Sequence, residues 1–346
     1  MKLLSYLLFA LIAIVSCKPK EKNVQTNKTY QEILKTAQQK KLPFCIVITD
    51  STQYPSQEYL QSINGTYNYI ADNAIFNIID VSSKESKVYL KTFVPTSLPL
   101  TCIFSSDGKL IDLIPGIAKE SFLYMEQALK EGKTTQYHWP NSFQKNKETL
   151  MPILKQLVDF ENNLGDKNYK WEQYAHLSDS LKYPYIDYLL MKAAVITNDT
   201  GLIISRAQKL LSTESSRNLE LYKEEFIEAK KIIDPTFNIA NAPNIRTTNK
   251  NIVLSDLKIG QSIPLDIILY NDGKEPLKIE KINMSCSCVT LEGINSEIVI
   301  GSGKNYTARF YFKPTDSGEL TRDIFIYSNA INQPNLHINI LAHVKS

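Results

Sequence analysis

Residues 44–56 read Phe-Cys-Ile-Val-Ile-Thr-Asp-Ser-Thr-Gln-Tyr-Pro-Ser, and this stretch decides how the amino-terminal part of the chain folds. Its first five residues are apolar without a break. A strand with one wet face alternates, whereas an unbroken run marks a strand covered on both faces. Pro55 suits the first turn of a helix, where its missing N–H leaves no bond unmade. Tyr59, Leu60 and Ile63 then share one helical face. A covered strand leading straight into a helix predicts a layered α/β domain.

The neighbouring residues extend that pattern. Thr29 and Glu32 have capping-box spacing ahead of the helical face Tyr30, Ile33, Leu34 and Ala37. Residues 75–81 read as a second buried strand, and a helix is expected near residues 85–93. Residues 100–104 and 109–114 flank Ser105-Ser106-Asp107-Gly108, a hairpin signal with Asp-Gly at its tip. A last helix is expected over residues 119–130. The segment from 29 to 135 thus alternates helix and strand and closes on a hairpin and a helix.

That order resembles the thioredoxin fold, and two landmarks support the resemblance. Leu98-Pro99 stands before the third apolar strand, where that family places a cis-proline, and Phe104 to Lys109 reads F-S-S-D-G-K. The family's enzymes carry Cys-x-x-Cys at the start of the helix after the first covered strand. Here Pro55 is kept, but Gln53 and Ser56 stand where the thiols would be. Exchange needs an attacking thiolate and a resolving thiol. The resemblance therefore implies a redox-degenerate domain with no catalytic residue. It also implies a groove between Gln53-Tyr54-Pro55-Ser56 and Leu98-Pro99, which in redox relatives takes up extended polypeptide. Cys45 and Cys102 read as small buried hydrophobes. The alternative is a cross-strand bond between them, although adjacent strands fit disulfide geometry poorly.

Met1 and Lys2 precede an apolar run from Leu3 to Val15, broken by Ser5 and ending Ile14-Val15-Ser16-Cys17. This is the pattern of a secretory signal, too short for a confident membrane span. The final quartet resembles the bacterial lipobox, which implies a signal peptide over residues 1–16 and acylation of Cys17. Residues 17–28, polar and lysine-rich, read as a lipidated tether. The expected partner at this end is membrane lipid, and the expected location is the cell envelope. By family analogy, Lys18-Pro19-Lys20 points to the outer membrane, on its periplasmic face or surface.

The formal net charge of +3, with charged residues at 22%, leaves no basic footprint for nucleic acid. No phosphate-cradling glycine loop, H-E-x-x-H or G-x-S-x-G is present. Residues 136–240 read as helical, with Leu150, Ile153, Leu154, Leu157 and Val158 forming an amphipathic stripe. Tyr169, Tyr174, Tyr183, Tyr185 and Tyr188 crowd this segment. Packing between helices is the favoured reading, with a partner- or carbohydrate-binding surface as the alternative. Glu224-Glu225 read as solvated charge on an exposed helix.

After Asp234-Pro235 and Asn241-Ala242-Pro243-Asn244 the period changes to two. Ile263, Leu265, Ile267 and Leu269 alternate with their neighbours before the turn Asn271-Asp272-Gly273. About seven short strands in about a hundred residues predict a β-sandwich. Residues 245–346 resemble the bacterial domain of unknown function 1573, whose members look like immunoglobulin-type sandwiches. The resemblance rests on Asn271 to Leu277 (N-D-G-K-E-P-L), Ser285 to Thr290 (S-C-S-C-V-T), Gly303-Lys304, Gly318 and Ser328-Asn329. Ser287 departs from the family's glycine. The fold class expected is therefore multidomain α/β plus β: a thioredoxin-like domain, a helical middle segment and an immunoglobulin-like sandwich. The combination resembles envelope lipoproteins of Bacteroidota.

Cys286 and Cys288 are the only closely spaced pair among five cysteines. Residues two apart in a strand have Cα atoms about 6.5–7 Å apart, at the edge of disulfide geometry, so a bond between them requires a bent backbone. Three readings stay open: a structural pair or local bond, a soft-metal site such as copper(I) assisted by His337 or His343, and a redox-active dithiol. The function expected is a membrane-anchored, non-enzymatic binding or scaffold protein for an envelope protein or peptide, without a cofactor. The rival is an oxidoreductase or copper-handling protein that uses Cys286 and Cys288.

Overall fold

A computed structural model describes residues 23–166, 169–181, 183–293 and 297–345. The expected signal segment, Cys17 and the start of the expected tether lie outside the described residues. The chain divides into two compact units, one running to Tyr89 and resuming over Pro95–Met151, the other comprising Leu90–Val94 and Pro152–Ser346.

The first unit contains β1 (Val24–Thr26), α1 (Tyr30–Lys40), β2 (Phe44–Thr49), α2 (Tyr54–Asn64), α3 (Asn68–Ala71) and β3 (Ile75–Asp80). Then come α4 (Ser86–Phe93), which runs on into the second unit, β4 (Leu100–Phe104), β5 (Leu110–Pro115) and α5 (Lys119–Glu131). The sheet order is β1-β3-β2-β4-β5. β1 and β2 run parallel to β3, whereas β4 is antiparallel to both β2 and β5. Every residue of β2 is buried, as its unbroken apolar run requires. One sheet face packs Cys45, Val47 and Phe76 against Tyr59 and Ile63 of α2 and Phe122 and Met125 of α5. On the other, Phe44 and Phe104 stack with ring centroids 4.9 Å apart, and Tyr30 meets both edge-on. The capping box forms: the Thr29 side chain accepts from the Glu32 N–H, and Glu32 accepts from the Thr29 N–H at 2.9 Å. Val24–Thr26, placed by the sequence pattern in the polar tether, instead pairs with Phe76–Ile78.

In the second unit, α6 (Lys147–Asn163), which begins in the first unit, is followed by α7 (Ala175–Leu181), α8 (Pro184–Thr197), α9 (Thr200–Leu211) and α10 (Ser216–Ile233). Tyr174, Tyr183 and Tyr185 are buried. Phe160 stacks on Tyr174 at 5.1 Å, and Tyr222 contacts the rings of both Tyr183 and Tyr185. These tyrosines thus pack helix against helix. Glu225 is not solvated charge: it is 5% exposed and paired with Lys91 at 2.7 Å. Lys91 lies 134 positions away, so no local pattern announces the pair.

Among the described residues, nine strands complete this unit: β6 (Ile245–Thr247), β7 (Asn251–Lys258), β8 (Ile263–Asn271), β9 (Leu277–Met284), β10 (Val289–Leu291), β11 (Ile298–Ile300), β12 (Asn305–Phe312), β13 (Gly318–Ser328) and β14 (Asn335–Lys345). They form two sheets, β10-β12-β8-β6 and β11-β9-β13-β14-β7. Leu265, Ile267, Leu269, Phe310 and Phe312 from the first share one core with Ile324, Ile326, Ile338 and Ile340 from the second. Burying each such side chain contributes roughly 1.5–3 kcal/mol. The turn after β8 is built on Asn271, whose amide donates to the carbonyls of Glu275 (2.8 Å) and Ile300 (2.9 Å) and whose oxygen accepts from the Gly273 N–H (2.9 Å). A Cβ at Gly273 would lie 2.1 Å from the Ala242 carbonyl oxygen, so only glycine allows the two backbones to approach this closely. On β9, Glu280 accepts from the N–H (3.1 Å) and hydroxyl (2.7 Å) of Ser216 at the start of α10, a carboxylate placed where the helix dipole favours it.

Candidate functional sites

In the first unit, β2 ends at Thr49 and the chain turns through Asp50–Gln53 into α2. Pro55 sits in the first turn of α2, as its spacing predicts. The Asp50 carboxylate organises the turn. It accepts from the Thr52 hydroxyl (2.6 Å), the Thr52 N–H (3.0 Å) and the Gln53 side-chain amide (2.7 Å). These bonds, those of Thr52 foremost, hold the Asp50 carboxyl below its usual pKa. Asp80, at the end of the neighbouring β3, accepts from the Ser82 hydroxyl and from the N–H groups of Ser82 and Ser51. They likewise depress its pKa, the Ser82 hydroxyl most.

Gln53 and Ser56, the residues that the resemblance sets at the thiol positions, are both engaged. Ser56 is fully buried, and its hydroxyl oxygen accepts the Asp50 N–H at 2.9 Å. Gln53 is tied to the Asp50 carboxylate. Tyr54, between them, is 71% exposed. The pairing of Ile48 with Leu100 places this turn beside Leu98-Pro99, whose peptide bond is cis. Pro99 is buried and its carbonyl accepts the Gly116 N–H at 2.9 Å.

Cys45 and Cys102 are free, fully buried thiols. Ile46, not Cys45, is paired with Cys102. Neighbouring residues on a strand face opposite sides, so Cys45 and Cys102 point to opposite faces of the sheet and cannot join. Burial pushes both thiols well above their usual pKa, which makes them poor nucleophiles.

In the second unit, Cys286 and Cys288 are joined in a disulfide with Cα atoms 5.2 Å apart. The bond lies in the turn between β9 and β10 rather than within a strand, and this supplies the bend it requires. Both flanks are held by hydrogen bonds. The Ser285 N–H donates to the Asp323 carbonyl at 2.9 Å, the Asp323 N–H returns to the Ser285 hydroxyl at 2.8 Å, and the Lys313 N–H donates to the Cys288 carbonyl at 2.8 Å. Arg322 Nε donates to the Cys288 Sγ at 3.1 Å. No local pattern pointed to Arg322, which is 34 positions from Cys288.

The metal reading gains no ligands from the last strand. His337 pairs with Asp323 at 2.7 Å, and His343 lies opposite Glu319 near the far end of β14. Among the described residues, no group of three or more His, Cys, Asp or Glu side chains is placed to hold a metal ion, and no helix is long and apolar enough to cross a membrane.

No curated protein matches this chain. Among solved structures, a protein of unknown function from Porphyromonas gingivalis is similar at 18% identity and TM-score 0.27, over 32% of this chain and 50% of that one. A PapD-like domain of human CEP192 is similar at 14% identity and TM-score 0.26, over 32% of this chain and 90% of that one. The secreted serine protease VesC from Vibrio cholerae is similar at 13% identity and TM-score 0.25, over 30% of this chain and 23% of that one. The chain thus spans half the length of the first of these and under a quarter of the third. Residues 245–344 match the family described as "Protein of unknown function (DUF1573)".

Proposed function

We propose that this chain is a cell-envelope lipoprotein, anchored through acylated Cys17, whose α/β unit is a thioredoxin-like scaffold that holds an extended segment of a partner protein or peptide. In this reading the sandwich is immunoglobulin-like and serves as a second presenting module. The supporting observation is the state of the Cys-x-x-Cys positions. Gln53 and Ser56 are spent on Asp50, Ser56 is buried, and neither carries sulfur, while Tyr54 projects into solvent beside Leu98-Pro99. A groove of this kind binds by backbone pairing and side-chain contact, neither of which needs a thiol.

The test places a photo-reactive phenylalanine analogue at position 54 of the full chain in its native cells, with position 123 as control, because Leu123 is also exposed, on α5. The reading predicts one discrete polypeptide adduct at position 54 that disappears in Leu98→Glu and is absent at position 123. Equal or no capture at both positions would count against it. Anchoring is tested separately by incorporation of labelled palmitate, which Cys17→Ser should abolish.

A further inference from the structure

A disulfide sulfur is a weak hydrogen-bond acceptor, whereas a thiolate is a strong one. The Arg322 guanidinium therefore sits where reduction would strengthen its contact with Cys288. Arg322 shares a register face of β13 with the fully buried Ile324 and Ile326, so a permanent charge stands at the mouth of the apolar core. Its Nη1 donates to the Thr321 carbonyl at 2.8 Å, and among the described residues it has no carboxylate partner. Placing a guanidinium there costs free energy unless an acceptor compensates it. The two residues also differ in access: Cys288 is 7% exposed, whereas Cys286 is only partly buried.

We propose that Cys286–Cys288 is an exchange-active disulfide that accepts two electrons from the dithiol of a partner protein, with Arg322 as the positioning residue. A partner thiolate attacks the accessible Cys286 Sγ. A partner–Cys286 bond forms, the Cys286–Cys288 bond breaks, and its electron pair stays on Cys288 Sγ as a thiolate facing Arg322. The partner's second thiolate then attacks the partner's own sulfur in the mixed disulfide. That step releases Cys286 as a thiolate, which takes a proton from water, and leaves the partner oxidised and this chain reduced. The turn outlasts the opening because Ser285 and Cys288 are held to Asp323 and Lys313 by hydrogen bonds. This inference uses no residue of the α/β unit and does not depend on the groove.

The experiment treats the full chain, folded and without denaturant, with dithiothreitol or with glutathione as a monothiol, followed by alkylation and peptide mass analysis. The disulfide should open within minutes while circular dichroism stays unchanged, and glutathione should be trapped on Cys286 with alkylated Cys288. Arg322→Met should slow opening and shift the equilibrium toward the disulfide, each about tenfold, and Arg322→Lys, which keeps the charge, should recover part of both. Opening only in denaturant, an adduct on Cys288, or a folded Arg322→Met variant that matches the wild type would overturn the proposal.

Discussion

The buried Ser56 hydroxyl accepts the backbone N–H of Asp50 at 2.9 Å, closing the turn between β2 and α2 from within. Ser56→Ala removes that acceptor and leaves a partly buried N–H unsatisfied. The expected loss is about 1–2 kcal/mol in chemical denaturation. Ser56→Thr, which keeps the oxygen but adds a methyl to a fully buried side chain, should also destabilise, by overpacking.

A second prediction concerns the ion pair between Lys147 and Asp112 in the first unit. Lys147 Nζ lies 2.7 Å from Asp112 Oδ1, and both side chains are almost wholly buried. Asp112 also accepts from the Thr135 hydroxyl and N–H. Lys147→Met strands a buried carboxylate and should cost about 3–5 kcal/mol. Lys147→Met with Asp112→Leu should recover much of that loss, read as denaturation midpoints.

Glu161 on α6 predicts a pH dependence. It accepts from Tyr185 (2.5 Å) and Thr92 (3.0 Å), yet burial outweighs these bonds and pushes its pKa from 4.5 up to about 7. The folded state therefore binds this proton more tightly than the unfolded state. The stabilisation is fully present below the unfolded value and is lost as pH rises through the folded one. Across pH 5 to 8 the wild type should lose on the order of 2–3 kcal/mol from this group. Glu161→Gln, which mimics the protonated form, should remove that loss. A parallel pH profile for the two proteins would contradict it.

Gly273 gives the sharpest steric prediction. A methyl group there meets the Ala242 carbonyl carbon and oxygen, which are backbone atoms and cannot turn aside. Gly273→Ala should destabilise the second unit by about 1–3 kcal/mol, visible in its thermal midpoint.

What could be read in advance was what local pattern encodes. The run Phe44–Ile48 marked β2, Thr29 and Glu32 marked the cap of α1, Asp107-Gly108 marked the β4–β5 hairpin, and period two marked β8. The Asn271-Asp272-Gly273 motif marked a turn, although the reason for its glycine appears only with Ala242 in place. Other features rest on distant partners. β1 is three residues of weak strand character, recruited by pairing with β3. Glu225 looks solvated until Lys91 is beside it, and Arg322 looks like an ordinary surface arginine until Cys288 is beneath it. That positions 53 and 56 carry no sulfur is legible in the sequence, whereas the commitment of Gln53 and Ser56 to Asp50 requires the folded turn.

We propose that the α/β unit keeps a redox scaffold without its chemistry. The most direct test is dithiol-driven insulin reduction by the full chain carrying Cys286→Ser and Cys288→Ser, with and without Gln53→Cys and Ser56→Cys. The account predicts no turnover with the native residues at positions 53 and 56. With both cysteines installed, it predicts a reducible 53–56 disulfide and measurable turnover. Turnover through the native α/β unit, or failure of the two installed cysteines to bond in a folded protein, would contradict it.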